Sequence, residues 1–364
     1  MTSMLDAGPD NDSGDPSATD SAHREPQIAA TRRVRRTRGW RRALSGGEAS
    51  AEIILLFVVV QAGAIVAGLL FKDDFAYLSR ANVSIMLKSV PVLGLLALGV
   101  GVLMIAGEFD LSVGANYTFS AVVAAKLLTE HNLMPVVAVL AGLGVGISIA
   151  LLNGFVTIWF KIPSFIATLG AMLFWQGAVL LVHGATAIRI SDEQGLRSLF
   201  AGSVGPIESA FLWMLGFAAM AYVLLHRHVL GNRLYAVGGN AASARAIGIS
   251  PTSVKLIAFG IAGGMAAFAG LLATTRVGSI QPGQGSGLEL QAIAACVIGG
   301  VALRGGRGTA IGIVLGAALM FIIQDILLLL RAPGYYLNMF VGALIVFAAI
   351  VNQVTARRAS QADD

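Results

Sequence analysis

The 364 residues are 56% hydrophobic and only 12% charged, with a mean hydropathy of +0.77; a soluble domain carries about 25% charged residues. Repeated apolar runs near the length a bilayer demands, without alternating strand-like segments, exclude a β-barrel and predict an all-α polytopic membrane protein. The net charge of +5 gathers at the edges of these runs, which argues for membrane topology rather than nucleic-acid binding, and the lone Cys296 excludes a disulfide or cysteine metal site within one chain.

Residues 1–30 carry Asp6, Asp10, Asp12, Asp15, Asp20 and Glu25 among few apolar residues, the composition of a disordered tail. Arg32, Arg33, Arg35, Arg36, Arg38, Arg41 and Arg42 follow, just ahead of the first apolar run. Phe71-Lys72-Asp73-Asp74 offers no small-residue cleavage site, so the arginines read as a positive-inside anchor, not an export signal. The expected organisation is a cytoplasmic tail over 1–50, a membrane body over 51–352 and a second cytoplasmic tail over 353–364. Spans are expected at 52–71, 83–106, 111–128, 135–159, 164–183, 209–225, 254–275, 289–303, 309–330 and 336–352. Even parity places both termini, Lys161 and the loop 226–255 on the cytoplasmic face and the loop 184–208 outside. The segment 289–303 is short for a span, and a re-entrant hairpin is the alternative. Small residues four apart, such as Gly142 and Gly146, Ala150 and Gly154, Gly260 and Gly264, Ala266 and Gly270, and Gly312 and Gly316, predict close helix packing.

Two stretches interrupt the apolar pattern. Gly107-Glu108-Phe109-Asp110-Leu111-Ser112-Val113-Gly114 can be laid on Gly299-Gly300-Val301-Ala302-Leu303-Arg304-Gly305-Gly306, as a parallel repeat. Paired interruptions in corresponding halves point to a transport pathway. Glu108 and Asp110 place charge at membrane depth, where it is costly unless solvated or paired. Asp110 is expected to cap a helix starting near Leu111, with Ser112 assisting; a direct pathway role is the alternative. Arg304 and Arg307 in Leu303-Arg304-Gly305-Gly306-Arg307-Gly308 fit a sharp turn better than a phosphate cradle.

In the polar loop His226–Lys255, Asn240 is an expected N-cap, Ala241 to Ile247 a short helix and Gly248 its terminator, with Pro251 beyond. Arg227, Arg233, Arg245 and Lys255 meet no carboxylate there, and such an isolated helix needs a partner. His226 and His228 lack a third ligand, so no metal is expected. Lys72, Lys88, Lys126, Lys161 and Lys255 all lack the preceding glycine of a phosphate-binding loop, so any ATP is expected to be hydrolysed by another chain.

Four stretches together resemble the permeases of bacterial sugar-importing ABC transporters, of the ribose/xylose/galactoside branch. They are Gly107 to Gly114; Asn153-Gly154 with Lys161-Ile162-Pro163-Ser164-Phe165-Ile166-Ala167-Thr168-Leu169-Gly170; Gly231 to Ile249; and Ala292 to Gly300 with Gly305-Gly306-Arg307-Gly308-Thr309. Glu108 stands where the branch commonly has glycine, and Arg304 where it has serine. The resemblance covers roughly residues 50–352 and implies the ABC importer permease fold in the inner membrane, without cofactor or metal. It further implies a cytoplasmic ATPase bound through Gly231, Asn232, Tyr235, Gly238, Asn240, Arg245 and Gly248, and a second permease subunit, expected as a homodimer. A periplasmic or lipid-anchored sugar-binding protein would deliver solute, Asp110, Ser112, Asn116 and Arg304 would lie near the translocation pathway, and membrane lipid would surround the body. An ion-coupled secondary transporter and a branched-chain amino-acid permease are the rival readings; Asp110-Leu111-Ser112 favours sugar over the second.

Overall fold

The computed structural model describes residues 53–361 apart from 73, 191–199 and 206. The expected tail over 1–50, with its arginine cluster, lies outside the described residues. Helices occupy all ten expected segments: α1 (Ile53–Leu70), α2 (Arg80–Ile105), α3 (Val113–Thr129), α4 (Pro135–Trp159), α5 (Ser164–His183), α6 (Ser209–His226), α9 (Pro251–Val277), α10 (Leu288–Ile298), α11 (Ala310–Leu329) and α12 (Gly334–Gln361). Two more, α7 (Val229–Gly239) and α8 (Ala241–Ala246), lie between α6 and α9. Seven of the described helices are long and apolar enough to cross a bilayer. The last helix continues to Gln361, past the expected boundary at 352.

Local chemistry sets these ends. Ser79 accepts the Asn82 N–H at the start of α2, and Thr309 accepts the Gly312 N–H at the start of α11. Ser250 caps α9, Pro251 occupies its first turn, and Gly278 closes it in the left-handed region at φ +74°.

The bundle is built around α2 and α9. In each, 72% of the most apolar window is buried, against 11% in α5 and 17% in α1. α9 packs on α2, α3 and α4, and small residues set the separation. A side chain at Gly263 would strike Ala150 and the Gly146 carbonyl, and one at Gly270 the Tyr117 carbonyl. The expected pair Gly260 and Gly264 instead faces Leu151 and Ile147 at looser contact, so the closest seam runs one position away.

Four short strands fix which ends of the helices lie together. β1 (Ile188–Arg189), after α5, pairs antiparallel with β4 (Ser279–Ile280), after α9; β2 (Ser203–Val204) pairs with β3 (Ile207–Glu208) just before α6. At the opposite end the C-terminus of α2, the loop after α10 and the helix α7 converge. With 11 residues, α10 is about 16 Å long and cannot cross the roughly 30 Å core alone. The chain between β4 and α10 covers the rest: it descends into the bundle, where the Gly285 N–H donates to Thr118 Oγ1 at 3.0 Å. The segment therefore runs from the strand end to the opposite end as half-helix plus non-helical chain, and the orientation of α11 is not reversed.

Candidate functional site

The loop between α6 and α9 contains two helices where the sequence suggested one. α7 escaped notice because glycines at 231, 238 and 239 dilute it, yet Leu230, Leu234 and Val237 mark its apolar face, with Leu234 and Val237 buried. His228 Nδ1 accepts the Leu230 N–H at its start. α8 follows the sequence closely. Asn240 Oδ1 accepts from the Ala242 and Ser243 N–H groups, both at 3.0 Å. The helix closes with Gly248 N–H to Arg245 O and Ile249 N–H to Ala244 O, also both 3.0 Å, around Gly248 at φ +84°. That double bond pattern is a Schellman terminus. Ile247 projects from it, 74% exposed.

The seven loop residues singled out above divide between two faces. Asn232, Asn240, Arg245 and Gly248 are exposed, whereas Gly231, Tyr235 and Gly238 turn toward the bundle. A side chain at Gly231 would strike the Leu224 and Leu225 carbonyls. Tyr235 donates its hydroxyl to the Gly308 carbonyl at 2.8 Å, and burial pushes its pKa up to about 12. At Gly238 any side chain would strike the Ile105 carbonyl and the Gly306 backbone; Gly306 itself donates to Ile105 O at 2.9 Å. Gly107, at φ +84°, and Gly305 complete this all-backbone seat. The two interruptions thus meet each other and the end of α7 at one point.

The first interruption is held by side chains. Ser112 donates its N–H and hydroxyl to Asp110 Oδ1 at 2.8 and 2.6 Å, and Asn153 Nδ2 donates to Ser112 Oγ at 2.7 Å. The Phe109 and Leu111 N–H groups donate to Ser164 Oγ and Thr168 Oγ1 at 3.1 and 3.0 Å. The helix starts at Val113, later than the sequence suggested, and Ser112 does not cap it: its side chain is committed to Asp110. Asn116 Nδ2 donates to Gly146 O and its Oδ1 accepts from Ser120 Oγ, both at 2.9 Å. Asp110, Ser112 and Asn116 are fully buried, while Arg304 is exposed at the α7 end. The structure therefore brings the first three together and leaves the Arg304 side chain apart, with only its backbone near Gly107.

Lys255, which has no carboxylate within its own loop, pairs across the fold with Glu108 at 2.5 Å. In the second interruption the N–H groups of Gly305 and Gly306 donate to Ala302 and Ile105 carbonyls, so they form a turn and are not free to cradle phosphate. Sequence reasoning also missed a cavity of about 200 Å³ between α3, α5 and the descending chain, lined by Gly114, Thr118, Gln176, Val179 and Ser286. Its walls lie more than 50 residues apart in the chain, so no local pattern marks it.

A helical membrane body with two glycine interruptions seated on one surface-loop helix defines a polytopic transport subunit. The chain belongs to the family described as branched-chain amino acid transport system / permease component, whose model matches residues 82–349. It is similar to the autoinducer 2 import system permease protein LsrC of Salmonella choleraesuis strain SC-B67, 36% identical over 304 residues and 84% of each chain. The protein of that name from Photorhabdus luminescens is 35% identical over 287 residues, 78% of this chain and 85% of the relative. That from Yersinia enterocolitica is 36% identical over 283 residues, 76% of each. No solved structure matches the chain.

Proposed function

We infer that this chain forms the membrane passage of an ATP-driven sugar importer and is worked by a separate ATPase docked on α7 and α8. The observation that carries the reading is the seat of Gly238 on both interruptions: a displacement of the loop reaches both at once. The exposed residues Asn232, Asn240, Arg245 and Gly248 are the contact face for the ATPase, and Gly231, Tyr235 and Gly238 transmit its movement. Asp110, Ser112 and Asn116 border the pathway by holding the first interruption and α3 in place, and Arg304 edges its mouth. Kinship to permeases named for autoinducer 2, together with Asp110-Leu111-Ser112, favours a sugar over a branched-chain amino acid.

In this reading the α7 end is cytoplasmic, as the excess of Lys161, Arg227, Arg233, Arg245, Arg304 and Arg307 there supports, and both termini lie on that side. A sugar-binding protein docks at the strand end. A second copy of the chain completes the passage, and α5, little buried and carrying exposed Phe165, Leu169 and Leu173, is available to it. The test is uptake of labelled sugars by right-side-out vesicles from cells carrying the full system. Uptake that stops on ATP depletion and survives a proton uncoupler supports the importer. Uptake that survives depletion and collapses with the uncoupler makes the chain a secondary transporter.

A further inference from the structure

The two interruptions are alike in their glycine seat and unlike in their charges. Gly107 meets Gly238, and the next residue, Glu108, meets Lys255. Lys255 sits one turn into α9, just beyond the Gly248 terminus and the Ser250 cap, so it is the first charged anchor after the docking helices. Both side chains are largely withdrawn from water, with 23% and 12% exposure. The first interruption is therefore gripped at consecutive residues from both sides of the docking loop: by the end of α7 and by the foot of α9. The second is held to α7 through Gly306 and Tyr235. Arg304 and Arg307 are exposed and form no ion pair among the described residues.

We propose that Lys255 and Glu108 are a positioning pair that makes the first interruption follow α9 when the docking loop moves, so that the junction of α2 and α3 responds to the ATPase through an ion pair that the second interruption does not form among the described residues. This rests on the docking reading above. A partly buried ion pair suits the task. Separating its charges leaves each incompletely solvated, so the two segments move together more readily than apart. The neighbouring bonds carry no such coupling to the loop, because Ser164 and Thr168 hold Phe109 and Leu111 to α5.

The test uses the complex purified from native membranes with its ATPase. The one native cysteine, Cys296, is fully buried and stays in place. Reporter cysteines are introduced one at a time, by Phe109→Cys in the first interruption and Leu303→Cys in the second, both positions being half-buried. Maleimide labelling rates are compared without nucleotide and after trapping with ATP and vanadate. The expected result is that trapping changes both rates in the otherwise native chain. Lys255→Met or Glu108→Gln should abolish the change at 109 and leave it at 303, and the exchange Glu108→Lys with Lys255→Glu should restore it. A trapping response at 109 that persists in both single variants overturns the proposal. So does an exchange that rescues nothing while the ATPase still co-purifies. If the ATPase fails to co-purify even with the native chain, the docking reading falls and takes this proposal with it.

Discussion

Tyr235 on α7 donates its hydroxyl to the carbonyl of Gly308, 73 residues further along the chain, at 2.8 Å. The bond fastens α7 to the far side of the second interruption, while Gly238, one turn on, rests against both interruptions. Tyr235→Phe removes the bond and keeps the ring. It should lower stability by about 1 kcal/mol and reduce uptake per ATP hydrolysed while the ATPase remains bound. Because burial holds the hydroxyl at a pKa of about 12, the tie should add no pH dependence to transport in the neutral range. Equal uptake and hydrolysis in the variant and native chains would show that the bond transmits nothing.

The neighbouring glycines 238 and 239 provide a matched comparison. A methyl group at 238 would strike the Ile105 carbonyl and the Gly306 backbone, whereas nothing lies within 4 Å of one at 239. Gly238→Ala should therefore displace α7 and abolish uptake, and Gly239→Ala should be close to neutral. Uptake assays of the two variants at matched membrane levels check this.

Gly248 tests the backbone alone. It has open space around it but holds φ +84°, a region that costs an L-residue about 1–2 kcal/mol and a β-branched one more. Gly248→Val should loosen the end of α8 and weaken ATPase binding several-fold, and Gly248→Asn, which tolerates the left-handed region, should retain most of it. The measurement is the fraction of ATPase retained on the purified chain.

Asn116 separates framework from solute contact. Asn116→Ala leaves the Gly146 carbonyl and the Ser120 hydroxyl without their partner, at a cost of about 1–3 kcal/mol. The variant should melt earlier in detergent, with solute preference unchanged. A change of preference at native stability would place Asn116 in contact with the solute instead.

Much of this architecture is legible in the sequence because bilayer helices advertise themselves locally. Apolar run length marked all ten helical segments, and Asn240, Gly248 and Pro251 announced the α8 cap, its terminus and the start of α9. The helix α7 was hidden because it is short, polar on one side and interrupted by glycine, so its stability comes from the bundle beneath Leu234 and Val237 rather than from propensity. The Glu108–Lys255 pair spans 147 residues and no local spacing foretells it. Asp110 stands out in the sequence as a charge at membrane depth, and the fold satisfies its Oδ1 but gives its buried Oδ2 no partner among the described residues; whether Ser112 would cap a helix or serve Asp110 depends on Asn153, which the fold brings alongside.

Whether this chain works through an ATPase held by α7 and α8 is tested by gentle purification of the tagged chain from its native membranes. Docking on α7 and α8 predicts a stoichiometric ATPase subunit that is depleted with Gly238→Ala, reduced several-fold with Gly248→Val and kept with Gly239→Ala. A chain that purifies alone, with uptake abolished by a proton uncoupler, would contradict it.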